Sequence, residues 1–316
     1  MQWKLSTILI AFIIITGFAV THAQSALEQG YIPTRITKAI ELLENDQPIY
    51  YTQVNGGGYD EGKAMAQTWA DYITYNMEHS PFDTSELRAF MQGLVDGGPT
   101  KSGHRTPTVV AVLPFGGVNE VVMMANYWMV EQVLGAGVHG VLLAHARDPD
   151  VVEILVQSAR YPHTPYAEGL PEGLRGNGGQ GFAARIWGVS NQEYQRLAEP
   201  WPLNPEGEIL IGLKIEDRHA LENSEASTAV PGVGFAEWGP GDMRMSYDTD
   251  SSTAQVLIDA RARVLAATKA AGIPFLNTVN TNNIEAMIDE GVRIGANPGA
   301  EVADQGRRYT NRRMPW

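Results

Sequence analysis

Eight short runs rich in Val, Ile, Leu and Tyr recur along the chain, at 48–54, 71–77, 108–114, 140–146, 209–215, 232–238, 274–279 and 292–297. Their lengths suit strands, and Gly or Pro flanks most of them. Between most of them lie segments with helical patterning, at 61–70, 84–95, 119–134, 148–159, 191–198, 220–228, 251–271 and 283–290. Asp83-Thr84, Asn119 and Asp148 offer N-terminal caps, and Gly135, Gly137 and Gly272 offer stops. Strand and helix alternating eight times over roughly 270 residues predicts an α/β chain folded as one (β/α)₈ TIM barrel. A doubly wound open sheet is the alternative, but no G-x-G-x-x-G follows the first run, and Gly56-Gly57-Gly58 lacks the spacing. On a barrel, chemistry sits at the C-terminal ends of the strands. That rule shortlists Glu78, His79, Leu113, His145, Arg147, Lys214, Glu216, Asp242, Asn277 and Asn297.

The first 23 residues fall outside this pattern. One positive charge, Lys4, precedes an apolar stretch from Leu5 to Val20, and Thr21-His22-Ala23 then forms a small-residue box. This reads as a secretory leader cut after Ala23, leaving a barrel at 24–316 that is periplasmic or secreted. A retained anchor is the other reading, but the stretch is short for a bilayer span. No later segment is apolar enough to cross a membrane. The chain has no cysteine, which excludes disulfides and thiolate chemistry. Its formal net charge of −13 disfavours nucleic acid and anionic lipid as partners. The basic tail of Arg307, Arg308, Arg312 and Arg313 is too short to reverse this, and is expected to pair with acidic helices, its own or a neighbour's. The stretch at 161–191 is too long for a plain connection and is expected to be a loop, as a lid, an interface or a neutral insertion.

Glu216 and Asp242 each follow an apolar run. If the two runs are neighbouring parallel strands, both carboxylates converge at one mouth of the barrel, where paired oxygen ligands suit Mg²⁺ or Mn²⁺. The alternative is a pair of ordinary capping residues. Lys214 lies two residues before Glu216 and so faces the same side of the strand. A buried lysine there must be paired or neutral. Structural pairing with Glu216 ranks ahead of a Schiff base. His145 and Arg147 lie on one side where the fourth strand meets its loop; Arg147 suits a substrate carboxylate, or pairs with Asp148 or Asp150. His104 and Arg105 precede the third strand and belong to the stability face. Val121, Met124, Tyr127, Trp128 and Val133 follow helical spacing and read as core or subunit packing. The glycine-rich segment 175–181 reads as a lid or turn, because no P-loop lysine and serine follow it.

Four ordered motifs carry a resemblance. Met77-Glu78-His79-Ser80-Pro81-Phe82-Asp83 resembles the E-H-x-P-x-D turn after the second strand of the HpcH/HpaI aldolases, the citrate-lyase-like group. Arg160-Tyr161-Pro162 with Arg175-Gly176-Asn177-Gly178 resembles the R-Y-P…R-G-x-G loop of that family. Ile215-Glu216 followed by Ala220-Leu221-Glu222-Asn223 resembles its fifth strand and next helix. Val230-Pro231-Gly232-Val233 and Gly239-Pro240-Gly241-Asp242 resemble V-x-G-[VI]…G-P-x-D. The likeness runs over about 37–310. It implies a metal-dependent aldolase on a (β/α)₈ barrel, in which a divalent ion stabilises the enolate of a 2-oxo acid. Glu216 and Asp242 would be the metal ligands and His79 the acid/base, or else His79 caps the helix at Thr84. The family arginine before the proline closing strand three falls on Leu113, its aspartate after helix three on Gly135, an acid on Asn76, and a glutamine on Lys214.

These departures shape the expectation. The chain is read as an exported carbon–carbon lyase acting on a small carboxylate, with Arg147 or Lys214 supplying the charge missing at Leu113. A non-catalytic carboxylate-binding barrel that keeps the metal is the alternative reading. The resemblance also implies a homo-oligomer.

Overall fold

A computed structural model of the chain describes residues 30–162 and 170–316. The leader expected at 1–23, and part of the loop expected at 161–191, lie outside the described residues. Eight strands, β1 (Ile49–Val54), β2 (Tyr72–Asn76), β3 (Thr108–Gly116), β4 (Gly140–Ala144), β5 (Ile209–Ile215), β6 (Phe235–Trp238), β7 (Phe275–Thr278) and β8 (Val292–Ala296), pair in parallel. Each neighbours the next, and β8 pairs back onto β1, so the sheet closes. The two-residue strand Pro200–Trp201 pairs beside the start of β5 and stands outside the ring. The helices on the outside are those of a (β/α)₈ TIM barrel.

All eight expected strands are present. The helix expected at 220–228 is broken at Asn223 into Arg218–Glu222 and Ser224–Thr228. Four helices fall outside the expected set. Gln180–Trp187 lies inside the segment read as a loop, where the preceding glycines mask its start. Pro240–Ser246 is a single short piece, and Gly299–Tyr309 carries the basic tail. The fourth, which we call α1 (Lys38–Glu44), is buried at six of its seven positions, its polar Lys38 and Glu41 among them.

Strand alternation sorts side chains into two layers. Ile209, Ile211, Leu213 and Ile215 pack outward against the helices, while Leu210 packs in the barrel lumen. Gly212 and Lys214 therefore face inward, and Glu216 continues that row. A side chain at Gly212 would meet the Phe235 ring at 2.1 Å, so glycine lets Phe235 fill the lumen. On β3, Leu113 belongs to the outer layer and Val112 to the lumen. α1 closes the lower end, packing Ala39, Ile40, Leu42 and Leu43 against Ile49, Tyr72, Leu210 and Ile294.

Asp71, just before β2, is fully buried among three cations. Its Oδ1 lies 3.1 Å from Lys38 Nζ, 3.1 Å from Arg307 Nη2 and 2.7 Å from Arg312 Nη1. Burial alone would raise its pKa, but Arg307, Arg312 and Lys38 outweigh burial and hold it far below the carboxylate range. Arg307 and Arg312 of the basic tail thus pair within their own chain and tie its end under the barrel. Removing one partner of a buried ion cluster strands the rest. Asp71→Asn is expected to cost about 3–5 kcal/mol in urea unfolding near neutral pH. A loss under about 1 kcal/mol, the range of a surface pair, would contradict this role.

Candidate active site

The C-terminal mouth gathers charge from β2, β4, β5 and β6. Asn76, at the end of β2, accepts from the main-chain N–H groups of Glu78 (3.0 Å) and His79 (3.4 Å), and its own amide donates to Asn55 Oδ1 (3.0 Å). This Asx turn points Glu78 into the mouth. From β5, the Lys214 ammonium lies 2.8 Å from Glu78 Oε2 and 3.1 Å from Glu216 Oε2. Glu216 is buried, and its other oxygen accepts from the His145 main-chain N–H at 3.1 Å. A Cβ on Gly239 would come within 2.4 Å of Glu216 Cβ. Glycine there lets the turn after β6 close over the carboxylate and start the helix that carries Asp242 in its first turn.

A second network orients the β4 side. His145 holds a left-handed backbone (φ 50°), uncommon without glycine. Its Nδ1 lies 2.8 Å from Asp217 Oδ2, and Arg147 Nε donates to the same oxygen at 2.9 Å. The other Asp217 oxygen caps the helix Arg218–Glu222 through the N–H groups of His219 and Ala220. The hydrogen bond that His145 donates to Asp217 raises the His145 pKa above 6.5, against burial and with help from Glu216 and Asp242. Arg147 pairs with Asp217, not with Asp148 or Asp150.

A cavity of about 130 Å³ opens beneath this mouth. Tyr51, Gln53, Thr74, Lys214 and Glu237 line it, and Val112 and Leu142 supply its apolar wall. Glu237 stands beside Lys214 in the sheet register. Burial, together with the negative charges of Glu216, Glu78 and Asp242, pushes its carboxyl up to about 7, against the pull of Lys214. Burial would lower the Lys214 pKa, but Glu216, Glu237 and Glu78 prevail and hold it above its ordinary value.

The structure thus places Lys214 and Glu216 in one cluster and Arg147 at its edge. Among the described residues, Glu78, His145 and Glu216 offer ligand atoms within 4.8 Å of one another, a set able to hold a metal ion. Asp242 is not in that tight group, though its charge reaches both His145 and Glu237. His79 stands at the rim, its side chain 71% exposed and its Nε2 3.7 Å from Glu78 Oε1. Sequence reasoning shortlisted Glu78 and His145 without roles and missed Asp217 and Glu237. The inward parity of β6 marks Glu237, since it shares a face with Phe235. Elsewhere, Arg175 is buried between Tyr161 and Tyr194 and donates to Ala198 O, while Gly176 to Gly179 behind it form an exposed turn whose Gly176 N–H meets Glu131. His104 pairs with Glu41 Oε2 at 2.9 Å on the lower face, away from the site.

The Glu237 carboxyl gives a pH signature in the metal-free protein. Folded chains keep this proton up to about pH 7, whereas unfolded chains lose it near 4.5. Stability therefore falls as pH rises between those values and stays lower above them. Glu237→Gln removes the penalty, and is expected to stabilise by about 1–3 kcal/mol at pH 8 and to lose that advantage below pH 4.5. Urea unfolding of both proteins across that range reads the difference, and parallel pH profiles would refute it.

Comparison with known proteins agrees with this geometry. The family model described as HpcH/HpaI aldolase/citrate lyase matches residues 63–301. A hydroxypyruvate/pyruvate aldolase of Deinococcus radiodurans is 28% identical over 208 residues, covering 64% of this chain and 63% of that protein. An HpcH/HpaI aldolase/citrate lyase family protein from Burkholderia cenocepacia superposes with a TM-score of 0.64 at 22% identity, covering 92% of this chain and 96% of that one. The citrate lyase β subunit of M. tuberculosis, solved with oxaloacetate and magnesium, reaches 0.51 at 12% identity over 83% and 96% of the two chains. At such identities these two structures speak for the fold alone. The family match spans most of the chain, and with the closed barrel and its acidic mouth it makes this protein a member of the HpcH/HpaI aldolase/citrate lyase family of enzymes.

Proposed function

We propose that the protein is an exported, divalent-metal-dependent carbon–carbon lyase of the aldolase type, acting on a 2-oxo acid. One observation carries the reading: Glu78, Glu216 and Glu237 crowd a single lysine at one barrel mouth, with Asp242 near enough for its charge to reach Glu237. An anionic substrate meets net repulsion there, and a divalent cation reverses the sign. Carboxylate oxygens suit Mg²⁺ or Mn²⁺. The residues therefore fit such an ion, with Glu216 and Asp242 as its carboxylate ligands and Glu78 and His145 beside them. When bound, the ion supplies Lewis-acid polarisation of the oxo group.

The chain's own residues do the rest. Arg147, fixed by Asp217 and about one-third exposed, docks the substrate carboxylate at the rim. Lys214 brings a positive charge close to the oxygen on which negative charge develops, at a mouth where β3 offers only Val112. His79, open to solvent, carries a proton between the aldol hydroxyl and water. The hydroxypyruvate/pyruvate aldolase relative supports a pyruvate-like acid as the carbanion partner. Export rests on the apolar stretch Leu5–Val20 and the box ending at Ala23. A homo-oligomer fits the exposure of Val121, Met124 and Trp128 along one helix.

Mg²⁺- or Mn²⁺-dependent proton exchange at C3 of pyruvate, and retro-aldol release of pyruvate from a panel of 4-hydroxy-2-oxo acids, test this reading. Glu216→Gln is expected to abolish both, and His79→Ala to slow the retro-aldol reaction by about 10²–10⁴-fold with metal binding intact. Tight carboxylate binding with no turnover across the panel would instead establish a binding protein.

A further inference from the structure

Lys214 occupies the place where a cation shared by two carboxylates belongs. Its ammonium bridges Glu78 on the β2 turn and Glu216 on β5, at 2.8 and 3.1 Å. A divalent ion drawing on those same oxygens would lie within a few ångströms of a unit positive charge, and at that range like charges repel strongly. The side chain has somewhere else to go. Glu237 is its lateral neighbour in the sheet, both face the lumen, and the cavity beneath the mouth is lined by both. Among the described residues, no hydrogen bond engages the Glu237 carboxylate, so that seat is free. Glu216 keeps its position without the ammonium, because the His145 main-chain N–H holds its other oxygen. The four-carbon stem of lysine turns by rotamer change alone, with no backbone movement.

We propose that Lys214 is a tethered counter-cation that competes with the divalent ion for Glu78 and Glu216, and that Glu237 is the seat it takes when the ion binds. The pair sets the metal affinity of the site. The proposal rests on the reading that Glu216 takes a divalent ion.

The test is direct Mn²⁺ binding to the metal-stripped full chain, with free Mn²⁺ read by its electron paramagnetic resonance signal. Lys214→Met is expected to bind at least about tenfold more tightly than wild type, and Lys214→Arg, which keeps the charge, to stay close to wild type. Lys214→Gln, a polar neutral replacement, repeats the first measurement should the Met variant fold poorly. Glu237→Gln is expected to weaken binding several-fold, and that loss is expected to vanish in the Lys214→Met background. A loss that persists there would assign Glu237 a direct field on the ion and overturn its role as the seat. Wild-type binding with no tightening in either neutral variant would overturn the competition while leaving the metal site standing. No Mn²⁺ binding by any of these proteins would remove the metal reading itself and this proposal with it.

Discussion

Strand parity on β5 is the constraint on which the site depends. Outward Ile211, Leu213 and Ile215 are anchored in the helical layer, so Gly212, Lys214 and Glu216 must form one inward row. Each fills a different level. Gly212 yields space to Phe235, Lys214 lines the cavity, and Glu216 stands at the mouth. A one-residue slip would drive a lysine and a glutamate into the apolar layer, a penalty no local contact offsets. The apolar residues of β5 therefore hold its two charged ones in place.

The two ends of the barrel solve opposite electrostatic problems. Below, three cations surround Asp71, and Asp304 adds a second acid on Arg307. Hydrogen-bonded in this way, the cluster binds the C-terminal segment to the base of the barrel. Above, acids outnumber the lysine between them, and the closest cations on the β4 side, His145 and Arg147, are already engaged by Asp217. The lower cluster is sealed and serves stability. The upper one opens onto solvent and a cavity, and its surplus charge is what a cationic or cation-assisted ligand would satisfy.

Much of this was legible in the sequence. Runs of Val, Ile and Leu bounded by Gly and Pro marked all eight strands, because a strand buried on both faces leaves a nearly continuous apolar signature. The alternation rule also put Lys214 and Glu216 on one side. What escaped has physical reasons. α1 spans only seven residues, about two turns, too few for periodicity to stand out. Asp217 sits where any helix cap would, and only folding brings it to His145 and Arg147 from 72 and 70 residues away. Glu237 reads as a polar residue interrupting a strand until β6 is laid beside β5. Leu113 shows the converse: motif alignment set it beside the reacting oxygen, but its side chain belongs to the outer layer, and Val112 meets the cavity.

A crystal structure of the protein soaked with Mn²⁺ and a 2-oxo acid tests the central claim most directly. The account predicts an anomalous peak at the β5 and β6 ends, within roughly 2.0–2.6 Å of a Glu216 oxygen, with the acid beside it. A peak elsewhere, or a mouth in which Lys214 still bridges Glu78 and Glu216 with no ion bound, would contradict it.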